Sequence, residues 1–547
     1  MSEVKKKSRK RKKQAQREQR PNGLAAVEKP DASRPEIEES DITQGPVDER
    51  SFQVAKSLSA LKTSDDERIP WLRVLAAILI CGLAFVIYSN TLNVPFVFDD
   101  RYNITDNPAI RITRLTFENL INSAFEARMP SRPLANASLA LNYYFFEYEP
   151  PGYHITNTAI HAVTGILLYF LFVVTFKTPA LKKTVIMPEI TAFAAAVIWL
   201  VHPLQTQSVT YVVQRMNSMA AMFYLLAMLL YVIARLSMKM RMKIFLFLGC
   251  ALSGLAGFGS KEIVVTLPFF ILLYEFYFFQ DLDRNWFRSR TFVVAAILLI
   301  TGAVIVVFQE LGSIVSGYDG RQFTMMQRML TEPRVVVFYL SQLFFPVPSR
   351  LNIFHDFSIS LSILQPLTTI FSITALASLL GLAGWLARRW RLLSFCILWY
   401  IGNLALESSI IPLEIIFEHR SYLPSTFVCL IFSYIVIHGL SFNRFKALPL
   451  IMLLLITMVF SYWTYERNGD WRDEETLLID CLEKAPNVAR TQASLGYVLM
   501  WQWRLDEAIQ RFQIALRLNP TSGVKRKIII NMDFANKMKQ YPNYRKK

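Results

Sequence analysis

Pro95-Phe96-Val97-Phe98-Asp99-Asp100-Arg101-Tyr102-Asn103 stands just past the first long apolar segment, Trp71 to Tyr88. A run that long, with no charge after Arg73, is sufficient to cross a bilayer as a helix. The two adjacent carboxylates beyond its end sit in an aromatic and apolar frame, poorly placed for packing and well placed for chemistry. Reading outward from this stretch therefore asks two questions: how many further segments cross the membrane, and which polar residues share a face with Asp99 and Asp100.

The apolar runs predict eleven crossings, at about 71–89, 155–176, 189–202, 217–235, 243–259, 263–280, 291–309, 366–387, 392–406, 425–440 and 447–465. Basic clusters test the arrangement. Lys177/Lys182/Lys183, Arg235/Lys239/Arg241/Lys243, Arg284/Arg288/Arg290, Arg388/Arg389/Arg391 and Arg444/Lys446 fall on every second connection, the side of the basic N-terminus, as the positive-inside rule requires. The run Arg334 to Val347 does not fit as a crossing, because it would put Arg388 to Arg391 on the wrong side. It reads as a re-entrant or interfacial helix, tolerated at membrane depth only where protein or a water-filled cavity covers its free backbone groups.

Bulk properties agree with a polytopic membrane protein. The chain has 547 residues, is 53% hydrophobic and 13% aromatic, and has a mean hydropathy of +0.30. Its net charge of +17 is concentrated at the ends and in short loops; the first 20 residues carry ten Lys or Arg against two Glu. Beside membrane spans such clusters act as topology signals and contacts with anionic lipid rather than as a nucleic-acid surface. Residues 1–68 are basic, then acidic and Pro/Ser-rich, with few large apolar residues, and read as a disordered cytoplasmic tail. No apolar h-region precedes Trp71, so that segment reads as an uncleaved signal anchor. Cys81, Cys250, Cys396 and Cys429 lie in apolar segments and Cys481 in a polar one, without disulfide or metal spacing.

The same topology sorts the unusual polar residues. Asp99/Asp100, Ser131-Arg132-Pro133-Leu134, His202-Pro203 through Gln207, Gln214-Arg215, Ser260-Lys261-Glu262 and Glu418-His419-Arg420-Ser421-Tyr422-Leu423-Pro424 all fall on the non-cytoplasmic side. The first outer loop, about 90–153, is too long for a connector; Ile112 to Phe125 and Leu134 to Tyr148 have helical apolar spacing and are expected along the membrane surface. After Tyr465 the chain turns polar. Leu495-Gly496, Ala508, Phe512, Ala515 and Pro520 stand at tetratricopeptide offsets, and Pro486 lies 34 residues before Pro520. The expected module is one full repeat flanked by two halves, 474–486 and 521–541, too short to stand alone and so packed on the membrane domain. The fold class is all-α: a polytopic membrane domain at 69–466 and a small helical repeat module at 467–547 on the non-cytoplasmic side.

On the outer face, the Asp99/Asp100 pair is open to three readings: a base, a metal site, or a solvated turn with local hydrogen bonds. A carboxylate in a partly apolar pocket gains basicity and suits removal of a proton from an acceptor hydroxyl. Its neighbour can orient the acceptor or help to hold a divalent ion, Mg or Mn, through oxygen ligands. Arg132, Lys261 and Arg420, from three outer loops, can surround a phosphate; each alone is more often a snorkelling residue or a carboxylate partner, and Lys261 beside Glu262 can simply pair with another helix. His202 and His419 lack any His-x-x-His or His-x-x-x-His spacing, which argues against zinc catalysis.

Val97-Phe98-Asp99-Asp100, Ser131-Arg132-Pro133-Leu134, Gly152-Tyr153-His154, His202-Pro203 with Gln214-Arg215, Ser260-Lys261-Glu262, His419 to Pro424 and Asn468-Gly469-Asp470-Trp471 together resemble, in order, the transmembrane and tetratricopeptide repeat-containing protein O-mannosyltransferases. The resemblance runs from about residue 71 to 520. It implies a GT-C glycosyltransferase fold that takes a sugar from a polyprenyl-phosphate carrier and uses an acidic motif in the first outer loop. Asp99 or Asp100 would be the base activating a Ser or Thr hydroxyl of an exported protein, and transfer would invert the anomeric carbon. Arg420, Lys261 and Arg132 would neutralise the lipid phosphate, and His202, Glu262, His419, Tyr422 and Arg215 would line the substrate site. Animal members carry long repeat arrays, whereas this chain keeps little more than one repeat; the short form and basic tail suggest a bacterial relative in the inner membrane, with the repeat module in the periplasm touching the acceptor or a partner protein. Asn103-Ile-Thr105 and Asn136-Ala-Ser138 are glycosylation sequons that keep an endoplasmic reticulum setting open. The rival readings are the same chemistry on a glycan or lipid acceptor, and a non-enzymatic transporter or scaffold.

Overall fold

The structure, a computed structural model, describes residues 70–440 and 447–540, with all side chains among them except those of 303–311 and 440. The tail at 1–68 and the Arg444/Lys446 cluster lie outside the described residues. Every described regular element is helical.

Each of the eleven expected crossings coincides with a helix. They are α1 (Pro70–Ile87), α4 (Pro150–Thr175), α5 (Pro188–Leu200), α6 (Arg215–Leu236), α7 (Met240–Phe258), α8 (Leu267–Phe278), α9 (Arg290–Ser316), α11 (Thr368–Leu386), α12 (Arg391–Ala405), α13 (Ser425–Leu440) and α14 (Leu448–Gly469). In order between and after them come α2 (Phe117–Phe125), α3 (Pro133–Phe146) and α10 (Met325–Phe344), then α15 (Glu474–Lys484), α16 (Ala489–Trp501), α17 (Leu505–Arg517) and α18 (Ser522–Gln540). Six described helices, α1, α4, α6 with the turn before it, α7, α11 and α14, are long and apolar enough to cross a membrane. Several open with proline in the first turn, where the missing N–H is one that a helix start leaves unbonded anyway.

Burial separates the helices into inner and outer sets. In the apolar windows of α4 and α6, 61% and 56% of residues are buried, against 17–22% in α1, α7, α11 and α14. Helices apolar all round but uncovered on most of their surface are suited to a lipid surround. At the centre, α1, α4 and α5 meet over Gly165, where an added Cβ would lie 2.9 Å from a Leu200 methyl and 3.1 Å from one of Ile80.

The Arg334 to Val347 run is the point of difference. It forms the second half of α10, which starts nine residues earlier at Met325 under a Thr324/Gln327 capping box and passes through Pro333. The first half is polar on the buried side, with Arg328, Thr331 and Glu332 inside, so an apolar-run reading sees only its second half. α10 is not among the helices apolar enough to cross.

In the repeat module, Leu495, Ala508, Phe512 and Ala515 are buried together. A Cβ on Gly496 would sit 2.8 Å from the Phe512 ring and 3.1 Å from the Ala508 carbonyl, so glycine is what lets α16 and α17 close. Trp471, Leu477 and Cys481 share one apolar cluster with Val94, Val97, Ile104 and Tyr211 to Val213 of the membrane domain. Asn352 Nδ2 donates to the Cys481 carbonyl (3.2 Å) and Lys484 Nζ to that of Leu351 (3.0 Å). The module is packed against loops of the membrane domain.

Candidate functional site

The acidic stretch folds as a tight turn entered through Phe98, whose φ of +46° is a left-handed conformation that costs a non-glycine residue about 1–2 kcal/mol. Two rings hold it there edge to face, Phe354 at 5.2 Å and Tyr211 at 6.4 Å. The turn sends the two carboxylates into opposite environments. Asp100 is 1% exposed; its Oδ1 accepts the Val213 N–H (2.7 Å) and its Oδ2 the Val97 N–H (3.2 Å). Burial pushes its pKa up to about 8, against the pull of those N–H groups and with the Asp99 charge adding to the rise. Asp99 is exposed, and its carboxylate makes no hydrogen bond or ion pair among the described residues. Its backbone is nonetheless pinned, with N–H donating to the Tyr211 hydroxyl (2.8 Å) and C=O accepting from Asn103 Nδ2 (2.8 Å).

The end of α14 and the chain after it close this turn. Asn468 accepts from the Thr210 hydroxyl (3.0 Å) and donates to the Ile87 carbonyl (3.2 Å), the Trp471 ring lies 5.7 Å from Tyr211, and Arg101 pairs with Glu474. The Asn103 and Asn136 sequons are part of the same framework. Both side chains are 2% exposed and donate to backbone carbonyls, so neither amide is accessible in the fold, and the sequons give no support to an endoplasmic reticulum setting.

The three cations expected around a phosphate are drawn together with carboxylates among them. Arg132 forks onto Glu262, Nη2 to Oε2 at 3.0 Å and Nε to Oε1 at 3.2 Å, and Ser131 joins Oε1 at 3.1 Å. Lys261 Nζ donates to Glu407 Oε1 and to Asn217 Oδ1, both at 2.9 Å. Arg420 Nε lies 4.0 Å from the same Glu407 oxygen, while its Nη1 and Nη2 donate to the Ile415 and Glu414 carbonyls. Burial and the neighbouring charges of Lys261, Arg420 and Arg132 hold the His419 imidazole well below its usual range. Burial raises the Glu407 carboxyl, but Lys261 and Arg420 outweigh it and leave the group below its usual range.

One short segment links the two clusters. Val213 N–H meets Asp100, Met216 Sδ lies 3.4 Å from Arg132 Nη1, and Asn217 joins Lys261 to the His419 carbonyl. Four helical residues, roughly 6 Å of rise, separate the Val213 backbone attachment from the Asn217 side-chain one. The acidic turn and the cation cluster are thus neighbours on one framework.

The remaining candidates are engaged in the framework itself. His202 uses both ring nitrogens, Nε2 to the Leu343 carbonyl (3.0 Å) and Nδ1 accepting the Leu204 N–H (3.2 Å). Arg215 is fully buried and holds Asn157, Asn142 and the Ser138 and Tyr153 carbonyls. The Tyr422 hydroxyl bonds His161 Nδ1 at 2.8 Å. Sequence reasoning missed Glu407, Asn217 and Tyr211. Glu407 alone carried a signal, as a carboxylate one residue past an expected span end on the outer side. Among the described residues no group of three or more His, Cys, Asp or Glu side chains is placed to hold a metal ion. With both Asp100 oxygens bonded to backbone, the residues do not assemble a protein-only site for Mg or Mn.

A cavity of about 450 Å³ opens between loops of the membrane domain and the repeat module, lined among others by Arg321, Phe354, His355, Glu414, Arg490 and Lys527. It does not include the aspartates. Its wall residue Phe354 packs on Phe98 on one side and under the Arg490 guanidinium, 5.1 Å away, on the other.

The sequence is similar along most of its length to protein O-mannosyl-transferases. F38B6.6 of Caenorhabditis elegans is 24% identical over 81% of this chain and 63% of its own length. Tmtc3 of Drosophila melanogaster is 25% identical over 86% of this chain and 58% of its own, and TMTC3 of Homo sapiens 24% identical over 81% and 51%. The chain thus spans between half and two thirds of the length of these relatives. No solved structure and no family model matches it.

Proposed function

We propose that the protein is a multi-pass membrane glycosyltransferase that moves a hexose, such as mannose, from a polyprenyl-phosphate donor to Ser or Thr hydroxyls of exported protein. The observation that carries this reading is the division of labour in the acidic turn: Asp100 is tied down by two backbone N–H groups, and Asp99 beside it presents an exposed, unpaired carboxylate on a rigid backbone. Asp99 is the base. Its carboxylate takes the proton from the acceptor hydroxyl as the oxygen attacks the anomeric carbon; the bond from that carbon to the phosphate oxygen breaks, and polyprenyl phosphate leaves with the electron pair, with inversion. Lys261, Arg420 and Arg132 hold the phosphate and stabilise the charge that develops on it.

The acceptor segment reaches Asp99 by way of the cavity between the repeat module and the outer loops, whose Phe354 wall adjoins the turn. The setting proposed is a bacterial inner membrane with this face in the periplasm. The test is transfer in vitro from polyprenyl-phosphate mannose to Ser/Thr peptides, followed by mass spectrometry. A hexose-sized gain in wild type that is absent in Asp99→Asn supports the proposal. Equal transfer in both overturns the base assignment; transfer to a glycan or lipid alone moves the acceptor to those classes.

A further inference from the structure

Glu407 lies two residues past α12, and its position is unusual for a carboxylate at a span end. Its side chain is 9% exposed, and one oxygen, Oε1, faces both Lys261 Nζ at 2.9 Å and Arg420 Nε at 4.0 Å, whose side chains are themselves 9% and 3% exposed. Its backbone carbonyl is clamped separately by Arg328 Nη2 (2.6 Å), so the side chain can move while the chain stays in place. The cluster is also incompletely satisfied. Among the described residues, Arg420 Nε and His419 Nδ1 are buried without a hydrogen-bond partner, although both residues are at least nine-tenths buried. Buried polar atoms without a partner call for an explanation, of which a water, an ion or a ligand at the site is one.

Two buried cations thus share one carboxylate with hydrogen-bonding capacity left over, the composition of an anion site already holding a weaker anion. We propose that Glu407 is an internal stand-in for the lipid phosphate: it neutralises Lys261 and Arg420 in the resting protein, and the donor's phosphate exchanges it out. The inference rests on the reading that these cations receive the donor. It also addresses a difficulty of that reaction. The donor is a phosphodiester with one negative charge, whereas the leaving monoester carries about −1.5 to −2 at neutral pH, so the cations would grip product harder than substrate. A carboxylate waiting to return to Lys261 offsets that grip and releases the product.

The experiment uses the full chain in detergent, with polyprenyl monophosphate as probe and inorganic phosphate as second probe. Glu407→Gln is expected to bind polyprenyl monophosphate about tenfold more tightly than wild type, equivalent to about 1.4 kcal/mol, and to gain more thermal stability from it, since the ligand then supplies the missing counter-charge. In transfer assays donor KM and kcat are expected to fall together as product release slows; a merely structural residue would lower kcat without tightening binding. Removing one partner of a buried ion pair can prevent folding. Glu407→Asp therefore serves beside it: it keeps the charge, withdraws it by one methylene from Lys261, and is expected to give a smaller gain of the same sign. Wild-type binding that is unchanged or weakened in both variants overturns the stand-in and leaves the donor-phosphate reading intact. No binding by wild type overturns the donor-phosphate reading and the stand-in with it, and equal affinity for inorganic phosphate overturns the lipid assignment.

Discussion

The acidic turn and the cation cluster stand a few residues apart on one framework and treat charge in opposite ways. At the turn, one of two like residues is buried and fixed by backbone N–H groups so that the other stays exposed without a partner. In the cluster, every ionised group faces an opposite charge within the protein. A free carboxylate is ready to accept a proton; a self-neutralised set of cations is ready only when another anion displaces the internal one. On the function proposed above, the first region would serve chemistry and the second exchange. Changes that remove charge from each should separate them.

The largest effect expected is on rate, at the turn. Asp99→Asn removes the proposed base, and loss of general-base catalysis is worth about 10²–10⁴-fold, while the melting temperature should hold, because the Asp99 carboxylate bonds nothing among the described residues. Paired kcat and thermal-shift measurements check this. A variant that loses stability along with activity would mean the exposed carboxylate has a structural role, and the contrast drawn above would fail.

In the cluster the larger effect should be on stability. Lys261→Met leaves Glu407 buried with only Arg420 at 4.0 Å; stranding one member of a buried pair costs about 3–5 kcal/mol. Denaturation of the purified chain measures the loss. The double variant Lys261→Met, Glu407→Gln should recover much of it, since no uncompensated carboxylate then remains.

These two residues also show how far the sequence could be read. Lys261 and Asp99 were legible because each lies at the end of an apolar run, where hydropathy marks a span boundary. The eleven helices were legible for the same reason. Glu407 carried the same span-end signal but not its pairing, because its partner is 146 residues away and spacing along a chain carries no information on which span ends meet. Tyr211, which pins Asp99, looked like any aromatic beside a span. The sequence order His202-Pro203 and Gln214-Arg215 marked framework positions as faithfully as site positions: His202 and Arg215 turned out to bind backbone carbonyls and core amides. The polar half of α10 escaped because its buried face is charged, Arg328 against Glu332 at 2.7 Å.

A smaller effect is expected at Asp100, and its sign depends on pH. The carboxyl is raised to about 8 by burial, from about 4 in the unfolded chain. Below the unfolded value both states hold the proton and the contribution to stability is fully present; as pH rises toward 8 the unfolded chain releases its proton while the fold retains it, and that stability is lost. Wild type should therefore become less stable between pH 4 and 8, and Asp100→Asn should flatten that slope. At a fixed acidic pH the variant should still be weaker by about 1–3 kcal/mol, because its amide turns a donor toward the Val97 N–H. Melting temperatures of both proteins across that range give the slope and the offset separately.

The smallest effect is expected at Arg132, and it tests whether the cluster is one unit. Its partner Glu262 is 46% exposed, and Arg132 itself 23%, so solvent screens the pair and Arg132→Gln should cost about 0–1 kcal/mol of stability. Lys261 and Glu407, both 9% exposed, have no such screening. If all three cations receive one phosphate, the stability-neutral Arg132→Gln must still weaken polyprenyl monophosphate binding, because a partly exposed arginine paired with a half-exposed carboxylate can leave it at little cost and turn to the ligand. A variant that keeps both stability and affinity would confine the anion site to Lys261 and Arg420, and would leave Glu407 as the carboxylate whose displacement sets affinity.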